Sequence, residues 1–239
     1  LFEQANADIP PKESDKTMRD NQYVNFAVMA GETDKAVEHL KTMAKPSPDL
    51  YNTLAWNFIE KGERLPEATA WARTGVELAR RKDPSEKPSY FTQRAWVDTW
   101  STRLGMILDT YAFGLKQQGK NQEALGAYAE AYKQLKGSDV DVNARYVGAL
   151  VDGKRYKDAL QVADECIRKG KSDDKLMENY KAAHVAVTGS EKGFDKRLSG
   201  STGAARKDAA TKVKASMIDK PAPDFTLMSM DGKPVTLSK

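Results

Sequence analysis

The sequence predicts an all-α fold, an array of paired helices that ends in a short β-hairpin. Three observations lead to this prediction. A glycine followed five or six residues later by an alanine recurs along the chain, as in a helix–helix turn with a small packed residue behind it. Apolar residues between these turns recur at helical intervals. In the last twenty residues, the period changes to the two-residue alternation of β-strands.

The glycine and alanine positions divide the helical part into four units. The pairs are Gly31 with Ala36, Gly62 with Ala68, Gly119 with Ala124, and Gly153 with Ala159. The alanines follow one another at intervals of 32, 56 and 35 residues. A tetratricopeptide repeat has a period of about 34 residues, so the middle interval contains an insertion of roughly 20. The chain thus resembles a tetratricopeptide array, and the resemblance implies a right-handed solenoid of helix–turn–helix units.

The third unit shows this pattern best. Leu108, Tyr111 and Leu115 form an apolar stripe on its first helix, and Tyr128 and Ala131 form one on its second. The corresponding residues are Tyr23, Leu40 and Pro48 in the first unit, Leu54, Ala55, Phe58 and Ala72 in the second, and Tyr146, Leu150, Ala163 and Cys166 in the fourth. Buried packing is the interpretation for Cys166, because a free cysteine behaves as a small apolar residue.

The insertion predicts an unusually long helix. Pro84 is expected to end the second helix of unit two, because proline breaks a helix interior. The next helix is expected to run from near Ser89 to about Gln118. Trp96 and Trp100 lie four residues apart in it, and this spacing favours a packed face over a cofactor site.

Beyond the four units, a further helix is predicted over 173–187, with Ser172 as its N-cap and His184 beside its apolar stripe. The segment 199–203 is predicted to be a loop or linker, and a short helix with solvated lysines is expected to follow it. The expected divisions are 1–189 for the repeats, 190–219 for a loop and connecting helix, and 220–239 for the hairpin.

The C-terminal segment carries the second resemblance. Pro221-Ala222-Pro223-Asp224-Phe225-Thr226-Leu227 precedes Asp231-Gly232-Lys233 and then Pro234-Val235-Thr236-Leu237. Asp-Gly between two alternating segments indicates a hairpin. The segment resembles the opening of a thioredoxin-like domain of the TlpA/ResA or AhpC/TSA (peroxiredoxin) kind. The resemblance implies an exported thiol-disulfide oxidoreductase of the bacterial periplasm or cell envelope, with either a Cys-x-x-Cys pair or a single peroxidatic cysteine beyond Lys239.

Composition and motifs exclude several classes of function. The net charge is +4, and the charges are interspersed, which does not fit a nucleic-acid surface. No run of 18 apolar residues predicts a transmembrane helix. Cys166 is the only cysteine, the two histidines are far apart, and no phosphate, dinucleotide or hydrolase motif occurs. We therefore expect no catalytic residue, cofactor or metal ligand within this chain.

A solenoid presents a concave groove, so the expected site is a groove lined by the first helix of each unit. Its expected partner is a protein or peptide. The candidate residues are Asn25, Met29, Asn52, Trp56, Ile59, Asp109, Phe113 and Lys116, with Asn21, Val28 and Gln117 also on the floor. An alternative is that Trp56 and Phe113 pack against helices of the array. A chaperone-type carboxylate clamp is not expected, because Met106 and Thr110 occupy the positions of its two third-unit cations.

Two functional hypotheses follow. In the first, the chain is the N-terminal interaction region of an exported thioredoxin-like oxidoreductase, where it positions partners or the redox domain, or forms a homodimer. In the second, it is a stand-alone adaptor that binds a peptide.

Overall fold

A computed structural model describes residues 13–81, 87–217 and 224–236. In this part of the chain the fold is mostly helical, with ten helices and one two-stranded hairpin, as an all-α fold requires. The helices are α1 (Glu13–Met29), α2 (Thr33–Thr42), α3 (Pro48–Glu60), α4 (Leu65–Arg80), α5 (Gln93–Gln117), α6 (Asn121–Gln134), α7 (Val140–Asp152), α8 (Tyr156–Arg168), α9 (Asp174–Thr188) and α10 (Phe194–Ser216).

Each helix from α1 to α8 packs against the helix that follows it, and α10 packs against α8. Odd-numbered helices also contact one another, α1 with α3, α3 with α5, and α7 with α9. This arrangement brings α1, α3 and α5 side by side, and places α7 beside α9. The four alanines behind the predicted turns, Ala36, Ala68, Ala124 and Ala159, are buried, at 0–1% exposure.

The first three turns use glycine in a left-handed backbone conformation. Gly31, Gly62 and Gly119 have φ angles of 78°, 72° and 74°. The fourth turn differs from the prediction, because Gly153 has a φ of −78° and Lys154 takes the left-handed position with a φ of 58°. The backbone bonds show the same shift by one residue. Gly119 N–H donates to Lys116 O, and the corresponding bond of the fourth turn runs from Lys154 N–H to Val151 O.

Helix α5 is unusually long, as predicted, but it begins four residues later than the expected start near Ser89. It begins at Gln93, where the Thr92 side chain accepts a hydrogen bond from Ala95 N–H, and it ends at Gln117. Trp100 on this helix is 3% exposed, and its indole N–H donates to Ala79 O at the end of α4. The aromatic pair therefore belongs to the packed face of α5, as expected. Pro84 lies outside the described residues.

The predicted linker at 199–203 is wrong, because these residues lie within helix α10. Glycine weakens a helix but does not prevent one that tertiary contacts hold. Ser201 donates to the Asp164 carboxylate at 2.7 Å, and Arg197 pairs with the same carboxylate. The N-cap of α9 also differs, since Asp173 accepts from Leu176 N–H at 2.7 Å and Ser172 does not cap.

The C-terminal hairpin forms as predicted, from β1 (Thr226–Met228) and β2 (Pro234–Thr236). The strands are antiparallel, with Leu227 opposite Val235. Gly232 adopts a left-handed φ of 72° in the turn. Both apolar side chains are exposed, at 63% and 58%, although a hairpin of this size gains stability from packing. Pro221, Pro223 and Leu237 lie outside the described residues.

No helix in the described ranges is long and apolar enough to cross a membrane.

Candidate functional site

A cavity of about 400 Å³ is lined by residues of α1, α3, α5 and α7. We call it the groove site. One helix from each predicted repeat unit contributes to it. Its walls are formed by Val28 of α1, Asn52, Thr53, Trp56 and Asn57 of α3, Met106, Asp109 and Thr110 of α5, and Asp141 and Arg145 of α7.

Helical periodicity explains why these side chains meet. Residues three or four positions apart lie on one face of a helix, as do Asn52 and Trp56, or Asp141 and Arg145. Because α1, α3 and α5 lie side by side and Arg145 of α7 pairs with Asp109 of α5, the faces join into one surface.

The floor of the groove site is an ion pair between neighbouring units. Arg145 donates from Nε to one carboxylate oxygen of Asp109 at 2.9 Å, and from a terminal nitrogen to the other at 2.8 Å. The Asp109 side chain is 3% exposed, and the Arg145 side chain is 24% exposed. Burial raises the pKa of Asp109 above its ordinary value, although the Arg145 guanidinium acts in the opposite direction. The two-bond geometry keeps both side chains fixed in this position.

Trp56 forms an aromatic wall above this ion pair. Its ring centroid lies 5.7 Å from that of Phe113, in a tilted contact. The Arg145 guanidinium lies 5.6 Å from the Trp56 ring, within the range of a cation–π interaction. Trp56 is half-buried, so part of its surface remains available to the cavity.

Two polar groups of the groove site have unused bonding capacity. The Asn52 side-chain oxygen is buried and has no hydrogen-bond partner in the described structure. The Asp141 side chain is exposed and forms no ion pair with any described residue. A buried amide oxygen without a partner is unfavourable, so Asn52 has unmet hydrogen-bonding potential beside the cavity.

The structure brings some of the predicted site residues together. Asn52, Trp56 and Asp109 line the groove site with Val28, and Phe113 contacts Trp56. Trp56 and Phe113 were expected either to line the groove or to pack within the array. Both interpretations hold in part, because Phe113 packs against the core while Trp56 also faces the cavity.

Other predicted residues do not line the cavity. Asn25 is exposed and Met29 is 80% exposed on α1, and Lys116 pairs with Asp152 of α7 at 2.8 Å. Asn21, half-buried, and the exposed Gln117 are also absent from its walls.

Ile59 was predicted on the floor of the groove, and that assignment is wrong. Its side chain is 0% exposed and belongs to the core around α3 and α4. The cause is the close approach of α5, where Gly114 has no side chain. A Cβ atom at Gly114 would lie 2.8 Å from Ile59 Cδ1, so α5 covers this end of α3.

The fourth unit supplies site residues that sequence reasoning missed. Arg145 lies 36 residues after its partner Asp109, close to the repeat period of about 34 residues. The sequence therefore contained a signal for this ion pair, the spacing of two opposite charges by about one repeat period. A charged residue on the first helix of one unit meets its complement about one period later.

The prediction of buried packing for Cys166 is confirmed, and His184 lies beside the apolar stripe of α9 as expected. Cys166 is 0% exposed, and burial raises the pKa of its thiol to about 11. His184 is 5% exposed and its Nε2 lies 3.2 Å from Lys192 O, between α9 and the start of α10. Across the described ranges, no three or more His, Cys, Asp or Glu side chains are placed to hold a metal ion.

No protein-family model matches the chain. No curated protein matches it either. Among solved structures, the chain is similar to the crystal structure of BtubC (BKLC) from P. vanneervenii, with 15% sequence identity and a TM-score of 0.49. That alignment covers 86% of this chain and 84% of the other. The similarity is too distant to transfer a function.

Proposed function

We propose that this chain is a tetratricopeptide-like array, a right-handed solenoid, and that its groove site binds a peptide or protein segment. The observation that carries the proposal is the cavity itself. It runs across one helix from each of four successive units. Repeat arrays offer extended concave surfaces of this kind to elongated ligands.

The chemistry of the groove site suits a peptide. Val28, Trp56 and Met106 supply apolar contacts, and a large aromatic ring in a cavity is a typical anchor point. Asn52 lines the cavity, where its side-chain nitrogen can donate a hydrogen bond to a peptide carbonyl, since each peptide residue has one acceptor.

The hairpin favours a particular parent protein. We propose that the array belongs to an exported thioredoxin-like thiol-disulfide oxidoreductase of the cell envelope, where it positions partners or the redox domain. The Ala-Pro-Asp-Phe segment and the Asp-Gly turn support this origin, as does the exposure of Leu227 and Val235. The alternative is a stand-alone peptide-binding adaptor. A cysteine encoded within about 40 residues after Lys239, enough for a strand and a helix, is required by the first proposal.

Peptide binding is tested by selecting displayed random peptides against the chain and measuring the affinity of synthetic versions by fluorescence anisotropy. Trp56→Ala should weaken binding at least tenfold, because it removes the aromatic wall. Since Trp56 also packs on Phe113, thermal melting must show that the variant is folded. Met106→Ala gives a second groove variant, at a side chain that is 40% exposed.

Tyr90→Ala is the matched control, since Tyr90 is an aromatic residue that is 82% exposed and lies outside the groove site. Its binding should equal that of the unchanged protein. Peptides that bind both groove variants as tightly as the control would show that the groove is not the binding surface.

A further inference from the structure

The charges of the groove site define the peptide that it accepts. This inference rests on the proposed function. We infer that the groove site selects a segment in which a Lys or Arg side chain lies beside an apolar side chain. Three structural features lead to this conclusion.

The first feature is that Arg145, the one cation among the groove-site residues, already forms an ion pair with Asp109. Arg145 donates to both carboxylate oxygens of Asp109, at 2.9 and 2.8 Å. Only the other terminal nitrogen of the guanidinium remains for an acidic ligand, and the Asp109 carboxylate already neutralises the charge of Arg145. Acidic side chains and terminal carboxylates are accordingly poor ligands here.

The second feature is a second carboxylate, Asp141, whose charge acts on Arg145 from beyond ion-pair distance. Asp141 lines the groove site and is exposed, and it forms no ion pair with the described residues. It lies in the first turn of α7. Together with Asp109 and Arg145, it leaves the cavity with one net negative charge. A cationic side chain of the ligand is the complement.

The third feature is the apolar surface beside that charge. Val28, Trp56 and Met106 line the same cavity as Asp141. The methylene groups of Lys or Arg cover apolar surface while their charged ends stay in water. An apolar neighbour in the peptide would contact the Trp56 ring, and the cationic group would reach Asp141.

The test uses the displayed random peptides, sequenced after selection on the unchanged protein. Binders that require Trp56 should be enriched in Lys or Arg next to an apolar residue. Each selected peptide is then synthesised with its basic residue replaced by Glu or by norleucine, which retains the carbon chain. Both replacements should weaken binding at least threefold, and Glu more than norleucine.

Variants of the protein identify the carboxylate. Asp141→Asn should reduce affinity for the basic peptides three- to tenfold, and Asp141→Lys should abolish the preference for them. Asp208→Asn, at an exposed carboxylate of α10 outside the groove site, should change neither. Raising the salt concentration should weaken basic peptides on the unchanged protein more than on Asp141→Asn.

The outcomes separate this inference from the proposed function. Groove-dependent binders without a basic preference, or with an acidic one, would overturn the inference and leave peptide binding in place. Equal affinity of Asp141→Asn and the unchanged protein for basic peptides would also overturn it. Failure to select any peptide that depends on Trp56 would refute the proposed function, and the inference with it.

Discussion

Lys154 is the residue at which the fourth helix–helix turn departs from the other three. It holds a φ of 58°, where Gly31, Gly62 and Gly119 have φ angles between 72° and 78°. The left-handed conformation is unfavourable for a residue with a Cβ atom. The fourth turn nevertheless makes the same backbone bonds, including Arg155 N–H to Leu150 O at 2.8 Å, so the surrounding helices impose the conformation.

We expect Lys154→Gly to raise the free energy of unfolding by about 1 kcal/mol, because glycine adopts this conformation without steric cost. Urea denaturation followed by circular dichroism measures the change. The reciprocal variant Gly119→Ala, at a φ of 74° with open space around it, should lose about 1 kcal/mol. A loss of stability in Lys154→Gly would show that the turn is not strained.

Cys166 is a residue whose burial controls its chemistry. Its thiol is 0% exposed, and burial raises its pKa to about 11. The thiolate is the reactive form, so we expect no reaction with iodoacetamide at pH 8 in the native protein and complete reaction in denaturant.

The same pKa shift predicts a loss of stability at alkaline pH. Between the ordinary thiol value of 9.0 and the folded value of about 11, the unfolded chain has lost the proton and the folded chain retains it. The unfolded state then binds fewer protons, so this contribution to stability falls as the pH rises. Cys166→Ala should remove it, and urea denaturation from pH 8 to 11 measures the difference. Rapid alkylation of the native protein at pH 8 would contradict the buried state.

At the scale of elements, the contact of α5 with α3 and α4 depends on Gly114. A Cβ atom there would lie 2.5 Å from Thr69 Oγ1 and 2.8 Å from Ile59 Cδ1. Gln118 Nε2 also donates to Thr69 Oγ1 at 2.6 Å, so this contact joins packing to a hydrogen bond. The helices are close because one of them has no side chain at the contact.

We expect Gly114→Ala to reduce the free energy of unfolding by about 1–3 kcal/mol, because the added methyl group forces apart packed side chains. Gly126→Ala is the matched control. Gly126 lies inside α6, and a Cβ atom added there would have no neighbouring atom within 4 Å. Alanine is also a better helix former than glycine. The control should be neutral or gain up to about 1 kcal/mol. Equal effects of the two substitutions, measured by thermal unfolding, would show that the contact at Gly114 is not tight.

The helices themselves were largely predictable because they depend on local signals. Periodic apolar residues and the Gly–Ala spacing located the turns of the four predicted units, and the predicted bounds of α5 and α9 lie within four residues of the observed ones. The segment 199–203 was not predictable locally, since its glycines and serines indicate a loop. Ser201 is helical because Asp164, 37 residues earlier, accepts its hydrogen bond. That partner lies on another helix and leaves no mark in the local pattern.

The groove site was also predictable in outline, because it too depends on local periodicity. Periodicity identified Asn52 and Trp56 as residues of the first helix in a unit. It could not separate them from Ile59, which has a similar helical phase and is covered through Gly114. It also could not show that Asp109 is paired, since its partner Arg145 belongs to the next unit.

At the scale of the whole molecule, one polar cluster fixes how α10 leaves the array. Asp164 of α8 accepts hydrogen bonds from Tyr180, Arg197 and Ser201, and Arg197 also donates to the Tyr180 hydroxyl at 3.0 Å. The side chains of α10 from residue 206 to its end are all exposed. The cluster therefore holds the first half of α10 on α8 and α9, and the second half extends into solvent.

We expect Asp164→Ala to release the first half of α10, because it leaves Arg197 and Tyr180 without their shared acceptor. Amide hydrogen exchange over 194–203 should accelerate about tenfold or more, which corresponds to about 1.4 kcal/mol per tenfold change. Asp208→Ala on the exposed half of α10 is the control and should leave exchange unchanged. Unaltered exchange in Asp164→Ala would show that apolar contacts such as Phe194 with Tyr180 hold the helix alone.

The groove site has a mechanical consequence for the array. Its walls come from residues 28 to 145, so a single ligand would touch α1, α3, α5 and α7. Repeat arrays can unfold from their ends, because each unit is stabilised locally. In the proposed repeat array, an occupied groove would join the outer units to the inner ones. An end of the array could then unfold only if the ligand dissociated, so ligand binding would stabilise all four units together.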